Sequence, residues 1–507
     1  MPESRRPQEF GELLSLWAEI DDLENVTSIL NWDEQTKMPR GGAEARADHK
    51  ATVQRILHQK LSSPKIGRLL ESLVSYQASI PYDTDEAGML RAAKRAYDRA
   101  TKVPENLVLE MSRTGSKGFA TWLRAREAKD FSVFSGDLER IVDVMGKVAS
   151  ALGYEDTPVD ALLDQREPGM KVADLERLFG SLRERLVPLA KRIFERIDAV
   201  DDSVIRQAFD IPGQWKAGLM AVRAIGFNLD QYGRADTSVH PFSTTFSPHD
   251  VRITTRFMES FLPTSLFAFL HEAGHGQYMQ GIPVKFRRTP ISRQCSAGFS
   301  ESQSRMWENL VGRSRHFSKY LLPRLREVFP GQLASANVET WYRAVNRVRP
   351  SLIRVEADEV TYNLHIMLRF ELEKDVFAGR VKVKDLAGAW NSKFKEYLGI
   401  EPPNDLLGVL QDIHWSRQFG ACFQGYTLGN VISAQLFEAA LLAHPSIPEQ
   451  FEVGNCSALL EWTRQNVHAH GSKYTPQELI VKATGRPLST EPYLSYIERK
   501  YKDIYGL

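Results

Sequence analysis

The amino-acid sequence predicts a mainly α-helical chain with one small β-sheet. Three observations lead there. Apolar residues recur at three- and four-residue steps through much of roughly the first two hundred residues; near Ser238 the pattern changes to short runs rich in Thr, Val and Phe; and helical spacing returns at Thr264 and continues, with interruptions, to the carboxyl terminus. In chain order, Phe10, Leu13, Leu14, Trp17, Ile20, Leu23 and Val26 form a first apolar face, expected to pack on a core. Leu175, Leu178, Leu182, Leu186, Leu189, Ile193 and Ile197 form a second, with Arg and Glu outside and a bend expected at Pro188. Residues 242–246 and 251–255 flank Ser247, Pro248, His249 and Asp250 and read as a hairpin. Pro263, Thr264 and Ser265 then start a helix whose buried stripe is Leu266, Phe269, Leu270 and Ala273 and whose end lies near Gly281. Residues 39–42, 81–86 and 167–170 read as loops within one body, not as domain boundaries.

Composition removes several function classes. The 507 residues are 42% hydrophobic and 25% charged, a globular balance that argues against a disordered or membrane-embedded chain. Lys plus Arg number 65 against 64 Asp plus Glu, so no overall field draws nucleic acid or anionic lipid, and neither partner is expected. No run approaches the roughly 18 apolar residues of a membrane span, and the start of the chain through Gly11 lacks the apolar stretch of a secretory signal. Cys295, Cys422 and Cys456 are too few for a disulfide framework and too dispersed for a metal clip, which predicts a reducing, cytoplasmic setting.

The chemistry concentrates in His271-Glu272-Ala273-Gly274-His275, an HExxH arrangement inside the helix that begins at Pro263. On a helix, residues four apart lie one above the other, so two imidazole nitrogens can reach one cation at about 2.0–2.1 Å. Glu272 is turned aside from direct ligation but can reach a water held there and act as general base. A catalytic zinc needs a third protein ligand. Glu301, Asp358 and Asp412 are all suitable oxygen donors, with Glu301 the first candidate. Against it, Ser300 and Gln303 could form a capping box, with Glu301 merely favouring the helix dipole.

Three further residues have the chemistry of substrate contacts. Arg354 precedes Asp358 by four residues in a stretch read as helical, so an ion pair on one helix face is one reading. Its apolar neighbours Leu352, Ile353, Val355 and Ala357 favour another, a buried guanidinium clamping a peptide carboxylate. His414 is either a satisfied structural histidine or a donor to a reacting carbonyl. Tyr426 either packs quietly or donates its phenolic hydrogen to a developing oxyanion.

Together these segments resemble the M32 family of metallocarboxypeptidases, the carboxypeptidase Taq group. The chain shows His240-Pro241-Phe242 for HPF, Asp250 to Thr254 for DxRxT, His271 to His275 for HExxH, Ile353 to Asp358 for IRxxAD and Gly408 to Trp415 for GxxQDxHW. The resemblance implies one peptidase domain over residues 1–507, with a helical half to about residue 235 and a metal-site half from about residue 236. It also implies a helical zincin-like body split by a deep groove, a homodimer, and stepwise release of carboxyl-terminal residues from peptides. Under it His271, His275 and Glu301 bind one divalent ion, zinc or alternatively cobalt; Glu272 is the general base and acid; Arg354 holds the substrate carboxylate; His414 and Tyr426 steady the scissile carbonyl. One departure stands out. The family usually has His-Glu-Ser-Gln where this chain has Ser300-Glu301-Ser302-Gln303. Two alternatives follow: a helical zincin that cuts internally, or a catalytically impaired relative that binds peptide or metal.

Overall fold

The computed structural model describes residues 6–507; residues 1–5, which contribute to the expected signal-free start, lie outside the described residues. Helices build most of the chain around a three-stranded sheet. Among the described residues, no helix is long and apolar enough to cross a membrane. Cys295, Cys422 and Cys456 are all free and buried.

Helix α1 (Gln8–Thr36) buries Phe10, Leu13, Trp17 and Ile20. The expected apolar face then leaves the core: Leu23 is half-buried and Val26 is 41% exposed. The second half of α1 packs instead on α2 (Ala43–Leu61), through Arg46 to the Leu30 carbonyl and Asp33, and no residue of α2 is buried. Near the end of α1, Trp32 is buried again, beneath Arg234 and Arg252 of the sheet. Helix α3 (Asp85–Lys102) follows. Helix α4 (Val172–Phe194) buries Leu175, Leu182, Leu186, Leu189 and Ile193 as the spacing predicts, but Leu178 is only half-buried and Ile197 lies beyond its end; the helix runs on through Pro188.

The predicted hairpin forms. Strands β2 (Ser243–Ser247) and β3 (Asp250–Thr255) pair antiparallel, with Ser243 opposite Ile253 and Thr245 opposite Val251. A third strand, β1 (Gly233–Thr237), lies parallel to β3 on its other side; its short Gly-Arg-Ala-Asp-Thr run has no alternation by which sequence could reveal it.

The sheet seats the motif helix, α5 (Pro263–Gly281). Thr255 Oγ1 donates to the Ser265 carbonyl at 3.4 Å, and Ser265 Oγ donates to Gln214 at 2.6 Å, tying the first turn to its surroundings. Pro263 at the first helical position lacks only an N–H that would have no partner there, and the helix ends at Gly281 as predicted. It is not amphipathic. Leu266, Phe269, Leu270 and Ala273 are buried, but so are Phe267, Gly274, Gln277 and Tyr278, and a helix without a polar face belongs in the interior.

Three more helices complete the frame: α6 (Ala297–Arg305), α7 (Tyr362–Phe377) and α8 (Gln424–Ala443). Two glycines let α5, α6 and α8 approach to backbone contact. A Cβ on Gly274 would lie 2.6 Å from the Gln303 carbonyl oxygen and 2.7 Å from Ser304 Cα, and one on Gly429 would lie 2.6 Å from Glu301 Cβ. Backbone cannot yield as a side-chain tip can. Gly274→Ala is therefore expected to destabilise the fold by about 1–3 kcal/mol, read as a lowered thermal midpoint with helical circular dichroism retained at low temperature. An unchanged midpoint would contradict this packing.

Candidate metal centre

His271 and His275 project from one face of α5 with ring centroids 5.0 Å apart. Glu301, on α6, meets them: its Oε2 lies 3.0 Å from His275 Nε2 and 3.7 Å from His271 Nε2. The donor atoms of the three all lie within 4.8 Å of one another. The other two carboxylates considered from sequence are engaged elsewhere. Asp358 accepts from the backbone N–H groups of Arg349, Val360 and Thr361, and Asp412 sits between Arg354 and Arg369. The capping alternative for Glu301 also falls. The cap of α6 is Ser296, whose Oγ accepts from Phe299 N at 3.1 Å, so Ser300 and Glu301 lie inside the helix.

Each imidazole is held from behind. His271 Nδ1 is 2.8 Å from Glu308 Oε2, and His275 Nδ1 is 2.9 Å from Ser300 Oγ, which also accepts from Gln294 Nε2 at 3.1 Å. With each Nδ1–H donated outward, both Nε2 lone pairs are left for a shared cation. Glu301 Oε1 is buried without a hydrogen-bond partner, so the two nitrogens and the carboxylate fit a divalent ion of the zinc type. Sequence reading missed Glu308. It lies two turns beyond Glu301, and the intervening backbone changes to a π-helix over Met306–Gly312, a widening that recurs at functional sites. The α6 amino terminus is fixed by the 167–170 loop: Glu167 accepts from Gly298 N, and the Arg166 carbonyl accepts from Ala297 N at 3.0 Å.

Three carboxylates surround the two imidazoles, with Arg305 and Arg313 behind Glu301 and Glu308. Burial alone would pull His271 down, but Glu301, Glu308 and Glu272 outweigh it and hold the ring above its ordinary pKa. Burial would lift Glu301, but His271, His275 and Arg305 hold its carboxyl well below the usual range. The field that keeps a proton on His271 equally favours a divalent cation in its place. Glu272 differs: burial, reinforced by Glu301 and opposed by the two imidazoles, raises its carboxyl.

Glu272 lines a cleft of about 660 Å³ shared with His271, Glu301, Arg305, Arg354 and Tyr426. Arg354 is not on the helix the sequence suggested. Arg354–Glu356 is a single 3₁₀ turn, Ala357 is extended, and α7 begins only at Tyr362, because Asp358 spends both oxygens on the backbone and hydroxyl of that turn. Its carboxylate partner is therefore Asp412, not Asp358. Arg354 Nε and Nη2 donate to Asp412 Oδ1 at 3.1 and 2.7 Å, and Nη1 donates to Tyr362 OH at 2.8 Å. Asp412 also accepts from Arg369 Nε at 2.8 Å, so two buried guanidinium groups share one carboxylate and leave a positive charge beside the cleft. His414 lies at the edge of this group, its Nε2 3.5 Å from Tyr426 OH and its ring on Phe423. Burial, with Arg354 and Arg166 adding and Asp412 opposing, lowers His414 to about 3, and burial keeps Tyr426 protonated well above its usual pKa.

The description "Carboxypeptidase Taq (M32) metallopeptidase" matches this sequence over residues 12–501. The chain is 39% identical to thermostable carboxypeptidase 1 of Thermus thermophilus, over 98% of this chain and 99% of that one. It is 35% identical to carboxypeptidase 1 of Bacillus subtilis, over 98% of each. Its fold superposes on the crystal structure of an M32 carboxypeptidase from Deinococcus radiodurans with a TM-score of 0.95 at 39% identity, covering 99% of this chain and 100% of the other.

Removal of metal by a chelator is expected to lower the thermal midpoint and its return to restore it. Glu308→Gln, which weakens the acceptor behind His271, is expected to loosen metal by about 10–100-fold in competition with a chromogenic chelator. Affinity equal to that of the unaltered protein would remove Glu308 from this role.

Proposed function

The chain belongs to the carboxypeptidase Taq (M32) family of metal-dependent carboxypeptidases, and on that premise we propose that its cleft releases carboxyl-terminal residues from peptides with Glu272 as the general base. The observation that carries this reading is the meeting of His271, His275 and Glu301 beside a cleft lined by His271, Glu301, Glu272 and Arg354. His271, His275 and Glu301 would hold one divalent ion, for which zinc suits the two-nitrogen, one-oxygen donor set and cobalt is the alternative. When bound, that ion supplies Lewis acidity toward water and the scissile carbonyl.

The protein groups do the rest. Glu272, buried and raised above the usual carboxyl range, takes a proton from the attacking water and returns it to the departing amine nitrogen. Arg354, already oriented by Asp412 and Tyr362, retains unpaired N–H groups for the terminal carboxylate of the peptide. Tyr426 keeps its hydroxyl proton, and neutral His414 keeps one ring N–H; both can donate to the oxygen of the tetrahedral intermediate. The proposal includes the family's homodimer, residues 1–507 as one domain and a cytoplasmic setting. All the residues assigned here come from one chain.

Glu272→Gln is expected to keep its melting temperature and bound metal while peptide release falls by about 10²–10⁴-fold; near-normal turnover in a metal-replete sample would reject the role. Peptides with a free carboxyl terminus should give single-residue ladders in timed mass spectra, whereas their amides should be cut far more slowly, and Arg354→Ala should raise KM for the free acids and narrow that difference. Equal cleavage of acid and amide by the unaltered protein, or internal fragments, would instead favour an enzyme that cuts within chains.

A further inference from the structure

A second, larger cavity of about 1080 Å³ adjoins the cleft across α6: Ala297 and Ser300 line the cavity, whereas Glu301 and Arg305 line the cleft. Its walls come from α1, α3, the 152–171 region, the 289–300 segment and residues 472–478. They carry nine cationic side chains against six carboxylates, an imbalance set in a chain whose net charge is only +1. All six carboxylates already have partners within the protein. Among the described residues, Arg91, Arg99, Lys102 and Arg166 have no carboxylate at ion-pairing distance. Arg91 donates to the Tyr82 and Lys473 carbonyls, Arg99 to that of Gln165 and Lys102 to that of Leu152, so these three are positioned without being neutralised.

Two residues join this cavity to the metal centre. Ser300 lines it while bonding His275. Arg166 is exposed in it, and its charge is felt at His414. A peptide whose terminal carboxylate is held at Arg354 and whose scissile bond lies at Glu272 continues beyond the 660 Å³ cleft, and this cavity is the adjoining space on the Ser300 side of the metal centre.

We propose that this cavity receives the part of the substrate upstream of the scissile bond and selects acidic side chains there, through Arg166, Arg99, Arg91 and Lys102. The inference rests on the carboxypeptidase reading for the direction of the chain but is tested by binding alone. Metal-loaded Glu272→Gln protein would be titrated into fluorescein-labelled peptides that share one carboxyl-terminal dipeptide and carry Glu, Gln or Lys upstream. The Glu peptide is expected to bind more tightly than the Gln peptide by up to about fivefold per ion pair formed, and the Lys peptide more weakly than either. The preference should shrink with added salt. Arg166→Gln with Lys102→Gln should bring the Glu-to-Gln affinity ratio toward one, and Arg166→Lys should retain most of it. Equal affinities at low salt, or a ratio that the double variant leaves unmoved, would overturn the proposal. If the binding order holds while the unaltered enzyme releases nothing from any peptide, the charge-selective cavity stands and the carboxypeptidase reading falls.

Discussion

The site depends on a carboxylate, Glu308, that satisfies three donors at once. It accepts from His271 Nδ1 at 2.8 Å, from Arg305 at 3.1 Å and from Arg313 at 3.3 Å. Burying this many charges is costly unless each finds a partner in good geometry. Here each partner is fixed by another: Arg305 also faces Glu301 and lies over the Tyr362 ring at 4.3 Å, and Arg313 donates to the Val345 carbonyl. The network sets the ring plane of His271 and the place of Glu301 together. The two glycines supply the other half of the constraint, since no network could form if α5, α6 and α8 were held apart by a methyl group.

A second network faces the first. Arg354 and Arg369 share Asp412, which leaves one positive charge, whereas Glu272, Glu301 and Glu308 lie around two imidazoles with Arg305 and Arg313 behind them. Tyr362 joins the two, accepting from Arg354 through its hydroxyl while its ring lies beneath Arg305. The cleft thus carries the metal-site carboxylates and the Arg354 guanidinium on its walls, with Tyr362 between them. In the reading proposed above, a peptide's terminal carboxylate would fall at Arg354 while its scissile carbonyl lies at the metal ligands.

Sequence revealed the parts of this arrangement that follow local rules. The pair His271 and His275 is legible because helical pitch places them, and the 243–255 hairpin because its strands are rich in Thr, Val and Phe. What it could not supply were partners chosen by tertiary packing. Asp358 and Asp412 are equally acidic in sequence; only the fold commits one to a backbone turn and the other to two arginines. Val26 fits its apolar stripe but lies where α1 has left the core, and β1 carries no alternation at all. Glu308 had a signal, its two-turn spacing from Glu301, but the π-helical turn that brings it to His271 is not encoded in any simple period.

Ser300 shows how a departure from the resembled family's usual pattern can leave the chemistry in place. Both serine and neutral histidine can accept a hydrogen bond from an imidazole N–H, so either can fix the orientation of His275 without altering the charge of the centre. His271 is backed by the Glu308 carboxylate, and that contact does not involve residue 300. What does change is volume. A hydroxymethyl group in place of an imidazole leaves room on the side of α6 that faces the larger cavity, where Ser300 forms part of the wall. On the reading proposed above, the replacement bears on the space available to a peptide as well as on the hydrogen bond to His275.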